Sequence, residues 1–223
     1  SMETIATNHA LAARARQRGR SGSMTYGHGF EENELRLDIA EAAKMAGLDV
    51  KVDAIINGRR GITALFVGEP LAAHTEGVKL AREVYMTKPV GERDIVIANA
   101  YAKDTEPFHA SPTGARMLSE NGGDLVLIIN APEGLITHYL GGSWGRNIGG
   151  RYWQRRSRLL PRIKRLILVT EYIDLAQADR IAPIGSITWA KTWNEALGHL
   201  TRDYPGKAKI AVIPDGTIQY LPE

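Results

Sequence analysis

Five short segments constrain the fold more than anything else in the chain. DIVIANA (94–100), DLVLIINA (124–131), RLILVTEY (165–172), SITWAKT (186–192) and KIAVIPDG (209–216) are rich in apolar residues. Helical patterns near 113–121, 174–180 and 193–203 lie between them. A strand with one face in water alternates polar and apolar residues, whereas a strand covered on both faces reads as a continuous apolar run. Runs of that kind separated by helices predict an α/β architecture, a mostly parallel sheet sandwiched by helices, over residues 92–223. Ligands of such sheets sit beyond the C-terminal ends of the strands. Loops 99–112 and 131–150, which follow two of these strands, are therefore the expected functional edge.

The first 91 residues follow a different pattern. ELRLDIAEAAKMAG (34–47) has a near-helical apolar stripe and ends on glycine, the favoured residue just past a helix. DVKVDAIIN (49–57) and ITALFV (62–67) are β-rich runs joined through Asn57-Gly58, a hairpin signal. A second helix over 71–86 stops at Lys88-Pro89. This smaller helix–hairpin–helix segment is a poor core by itself, because a lone two-stranded hairpin is marginal in water. Something else is expected to cover it.

Composition removes several classes of chemistry. With no cysteine in 223 residues, disulfides, thiolate metal sites and a thiol nucleophile are excluded. No apolar run approaches the roughly 18 residues of a membrane span. The opening SMETIATNHALAARARQRGR lacks the apolar core of a secretory signal. A cytoplasmic protein without membrane partners is expected. The net charge of +3 is too small to mark the whole chain as a nucleic-acid binder. The basic stretch RYWQRRSRLLPRIKR (151–165) reads as a solvated helix face or as a phosphate or nucleic-acid contact, and nucleic acid is not the expected partner.

The loops hold the candidate chemistry. GGSWGRNIGG (141–150) has neither the GxGxxG spacing nor a following GK[ST], so it is read as a flexible loop that gives access, not as a phosphate cradle. His138, Trp144, Tyr152 and Trp153 around it could line a pocket or close the edge of a domain. Loop 99–112 gathers Tyr101, Lys103, Asp104, Glu106 and His109 directly after a buried strand. Acid/base roles are plausible for such a cluster, although a merely polar loop would read the same way. His74 and His199 sit in helical patterns without a second ligand in register and are read as structural.

Several stretches together resemble the nickel-dependent lactate racemase family, specifically the second half of its members, from about Thr7 to Pro222. They are Asn8-His9, EAAKMAG (41–47), INGRRGITALFVGE (56–69), AAHTEGVKLARE (72–83), DIVIANAYAKD (94–104), APEGL (131–135) and AVIPDG (211–216). The resemblance implies a racemase or epimerase acting on a 2-hydroxy acid through a nickel-pincer nucleotide that accepts hydride from the α-carbon. It makes residues 1–91 a remnant of the catalytic domain and 92–223 the C-terminal α/β domain. His9 matches the family's nickel-binding histidine, and a neutral imidazole suits nickel. Tyr101 and Asp104 align with the family's loop, and Phe108 and His109 take the places of its cofactor-facing tyrosine and glutamine.

Two departures accompany the match. The family's acid/base histidines and cofactor-tethering lysine precede the Asn-His pair and have no counterpart here, so this chain is expected to be catalytically incomplete. The family's Y-Q-A-V-K reads Phe108, His109, Ala110, Ser111 and Pro112, so a lysine has become a proline that cannot donate to an anion. The expected partners are a 2-hydroxy acid and either further copies of the chain or a chain supplying the N-terminal half. The alternative is a non-catalytic relative that binds a small anion or self-assembles.

Overall fold

In a computed structural model of the chain, residues 34–136 and 158–221, together with Thr4 and Thr7, are described. Among them no helix is long and apolar enough to cross a membrane. The chain divides into two compact units, Ser1–Lys88 with Tyr220–Glu223, and Pro89–Gln219.

In the first unit, helix α1 (Glu34–Met45) ends at Gly47, whose φ of +68° is the left-handed conformation that glycine adopts without penalty. Strands β1 (Lys51–Ile56) and β2 (Ile62–Gly68) pair antiparallel. Their turn is longer than two residues. Asn57 accepts through its side-chain oxygen from the N–H groups of Arg59 and Gly61, at 2.9 and 3.0 Å, and Arg60 takes a φ of +62°. Helix α2 (Pro70–Val84) begins with Pro70 in its first turn, and the Glu69 carboxylate accepts from the Ala72 N–H at 2.8 Å. Gly77 is buried where this helix packs on the hairpin, and a Cβ there would make an ordinary contact with the Phe66 ring at 3.5 Å. The Tyr85 hydroxyl donates to the Ile56 carbonyl at 2.7 Å and accepts from its N–H at 3.0 Å, tying the end of the helix to β1. The opposite face of the hairpin keeps Val52, Leu65 and Val67 exposed.

The second unit is built on five parallel strands: β3 (Ile95–Asn99), β4 (Gly123–Ile128), β5 (Ile163–Val169), β6 (Ile187–Ala190) and β7 (Ile210–Ile213). Their order is β6-β5-β4-β3-β7, and every pairing is parallel. Val96, Leu125, Val126, Leu127, Leu166, Ile167 and Leu168 are buried in this sheet. That burial is what their unbroken apolar runs predict. Helix α3 (Ala110–Met117) packs so closely that a Cβ on Gly114 would fall 2.4 Å from Leu125 Cδ1. It begins and ends earlier than the pattern near 113–121 suggests. Pro112 sits in the first turn, where its missing N–H is harmless, and Leu118 leaves the helix for an extended conformation. Helix α4 (Trp193–Asp203) spans the residues its pattern predicts, capped by Thr192, whose hydroxyl accepts from the Glu195 N–H at 3.2 Å.

Candidate functional site

The strand order fixes where this sheet can offer a crevice. From β3 the chain steps outward through β4, β5 and β6, and then returns to the other side of β3 as β7. The strand order reverses between β3 and β7, and in sheets of this kind ligands bind beyond the C-terminal strand ends at such a reversal. The exits of both strands are locked there. Asp215, buried after β7, accepts through Oδ2 from the Ala102 N–H at 2.7 Å. Through Oδ1 it accepts from the Thr217 N–H and hydroxyl at 3.0 and 2.6 Å. Gly216 donates its N–H to the Asn99 carbonyl at 2.8 Å. A Cβ on Gly216 would come within 2.9 Å of Ala110 Cβ, so only glycine lets α3 start this close.

On this lock sit two 3-10 turns, Tyr101–Lys103 and Pro107–His109. Tyr101 is exposed at the start of the first turn, and Asp104 follows it, partly buried. The second turn brings Phe108 and His109 together, with ring centroids 4.2 Å apart and planes tilted by 36°. His109 Nε2 lies 3.8 Å from Glu106 Oε2, an imidazole and a carboxylate one turn apart. His9, His138, Trp144, Tyr152, Trp153 and the glycine loop 141–150 lie outside the described residues.

The structure adds a residue that the sequence did not single out. Arg180, in the 3-10 turn Ala178–Arg180 after β5, places its guanidinium carbon 3.9 Å from the centre of the Phe108 ring. This is close enough for a cation–π contact. Burial pulls the guanidinium down to about 10, against the opposing fields of Glu106 and Asp179, and it stays charged at neutral pH. The loop bearing Arg180 is held by Asp174. One of its carboxylate oxygens accepts from the Ala176 and Gln177 N–H groups at 3.0 and 3.1 Å, and the other from the Leu135 N–H at 3.0 Å. Ile136 N–H donates to the Thr105 carbonyl at 3.0 Å. Three loops, after β3, β4 and β5, are thereby joined at one edge of the sheet.

The opposite edge has a different character. Arg165 pairs with Asp124 and Asp203, and Arg162 lies 3.5 Å from Glu120. These two arginines of the basic stretch are thus engaged with carboxylates, and residues 151–157 are outside the described set. Burial pushes the Asp124 carboxyl up despite its arginine, whereas Asp203 is held down mainly by its hydrogen bond from Arg165. Among the described residues no group of three or more His, Asp or Glu side chains could hold a metal ion. In the first unit, His74 lies 4.0 Å from Asp53, and burial, then the charges of Lys51 and Arg36, lower its affinity for a proton.

No family model matches the chain. It is 24% identical over 239 residues to a lactate racemase of Lactiplantibacillus plantarum, with 97% of this chain and 54% of that protein covered. The structure of the lactate racemase apoprotein from Thermoanaerobacterium thermosaccharolyticum superposes with a TM-score of 0.59 at 22% identity, covering 87% of this chain and 51% of the other. A crystal structure of a Thermotoga maritima protein gives a TM-score of 0.51 at 13% identity, covering 85% of this chain and 54% of that one. The chain thus spans about half the length of the relatives it matches. The sequence match runs over nearly the whole chain and the fold is shared, so the chain is similar to the C-terminal half of lactate racemases.

Proposed function

We propose that the chain contributes the C-terminal half of a cytoplasmic 2-hydroxy-acid racemase or epimerase, with its ligand held at the C-terminal edge of the parallel sheet. The observation that carries this reading is the convergence of Glu106, Phe108, His109 and Arg180 on loops joined at that edge. Fold alone would not assign an activity. The sequence match to a lactate racemase supports the reaction class, and the convergent polar and aromatic groups support this edge as its location.

The family resemblance implies a nickel-pincer nucleotide. The ring pair Phe108–His109 and the cation of Arg180 are chemically suited to the aromatic, anionic part of such a group. Tyr101 and Asp104, on the adjoining turn, complete the proposed cofactor-binding set. The described residues offer no metal cluster, and His9, the proposed nickel ligand, lies outside them. The chemistry this cofactor supplies when bound is reversible acceptance of a hydride from the α-carbon of a 2-hydroxy acid. The chain's own residues perform simpler tasks. Asp215 fixes the loop at Ala102, Phe108 backs the ligand with an apolar face, and the Glu106 carboxylate stands 3.8 Å from His109 Nε2.

The test is chiral chromatography of D- and L-lactate incubated with the full chain, loaded with the nickel nucleotide and supplied with the family's N-terminal half. Interconversion that depends on the chain supports the reading. A rate equal to that of the N-terminal half with cofactor alone refutes it.

A further inference from the structure

Arg180 is a charged group at this edge whose side-chain donors meet no acceptor among the described residues. Its guanidinium carbon lies over the Phe108 ring, 3.9 Å from the centre, and the group carries five N–H donors. Glu106 and Asp179 act on it through their fields, yet among the described residues neither forms an ion pair with it within 4.0 Å. The guanidinium likewise has no hydrogen bond there. Glu106 instead has His109 as its neighbour, at 3.8 Å. Arg180 is half-buried, and its planar donors match the geometry of an oxyanion. The contrast with Arg165 at the other edge is direct, because that guanidinium is occupied by Asp124 and Asp203.

We propose that Arg180, backed by Phe108, is the oxyanion-binding residue of this edge and takes the carboxylate or phosphate end of a small ligand. The inference rests on reading this edge as a ligand site, but not on racemisation. Phe108 lies under the guanidinium and Asp174 holds the loop that carries it, so the cation is set before the ligand arrives. Arginine presents two parallel donors where lysine presents a point charge, so the two are not equivalent here.

Isothermal titration of the full chain with inorganic phosphate, L-lactate and the uncharged lactamide tests this, using the native protein, Arg180→Lys and Arg180→Gln. The expected result is saturable binding of phosphate, lactate or both, no binding of lactamide, affinity about tenfold or more weaker in R180K, and binding abolished in R180Q. Phosphate alone identifies a phosphate subsite, and lactate alone a carboxylate subsite. Thermal unfolding of each variant shows whether it is folded; if R180Q is not, R180K decides. The proposal is overturned if the native chain binds neither anion saturably, if lactamide binds as well as lactate, or if folded variants retain native affinity. Arg180-dependent binding in a protein that racemises nothing would leave this inference standing and remove the proposed activity.

Discussion

Asp215 offers the sharpest energetic test of how the candidate site is built. Its buried carboxylate accepts three hydrogen bonds, from the Ala102 N–H and from the N–H and hydroxyl of Thr217. Hydrogen bonds to a charged group contribute about 1.5–3 kcal/mol each, and a buried donor left without a partner costs about 1–3 kcal/mol. The three bonds share one acceptor group and do not add. Asp215→Ala should therefore destabilise the Pro89–Gln219 unit by about 3–5 kcal/mol. Asp215→Asn keeps one acceptor but turns an NH2 toward a donor, and should cost about 2–3 kcal/mol. Thr217→Val removes the hydroxyl alone and should cost about 1 kcal/mol. Urea unfolding measures the sums, and amide hydrogen exchange at Ala102 localises the effect. At 1.4 kcal/mol per factor of ten, Ala102 in D215A should lose at least about 100-fold of its protection. A change below about 1 kcal/mol, with Ala102 exchanging at its native rate, would show that Asp215 does not hold the loop.

Other consequences follow from the charged groups away from the site. Arg165→Met should cost about 3–5 kcal/mol, because it strands the buried Asp124 carboxylate without its partner. Denaturant unfolding should show most of that stability restored in R165M with Asp124→Leu, and no recovery would contradict the burial argument. His74 has a folded-state proton affinity below its ordinary value of 6.5. The unfolded chain therefore binds the extra proton first, so stability of the Ser1–Lys88 unit should fall as pH drops through 6.5 and below. A His74→Gln variant should flatten that part of the stability–pH curve. An unchanged slope would assign it to other groups.

Much of the fold was legible because it rests on local pattern. The apolar runs became the five parallel strands, and Gly47 and Thr192 mark a helix end and a helix start. Boundaries failed where side chains rewrote the backbone locally. The run continuing to Tyr172 leaves the sheet at Val169, because the Thr170 hydroxyl accepts from the Tyr172 N–H at 3.1 Å and turns the chain. The helical pattern near 174–180 yields a single 3-10 turn, Ala178–Arg180, preceded by a turn that the Asp174 side chain caps. The loop after β3 was visible as a cluster of ionisable residues. Arg180 was not, because its significance comes from meeting Phe108 across a long sequence separation, and no spacing rule encodes that approach. The Asp215–Ala102 bond was hidden for the same reason, although IPDG after an apolar run marks a strand exit.

The central claim, that the C-terminal edge of the sheet receives a 2-hydroxy acid, is tested most directly by an NMR titration of the isotopically labelled chain with L-lactate. Saturable shifts are expected at Tyr101, Asp104, Phe108, His109 and the turn Ala178–Arg180. Shifts centred on Asp124 and Arg165 at the opposite edge, or none at saturating lactate, would contradict it.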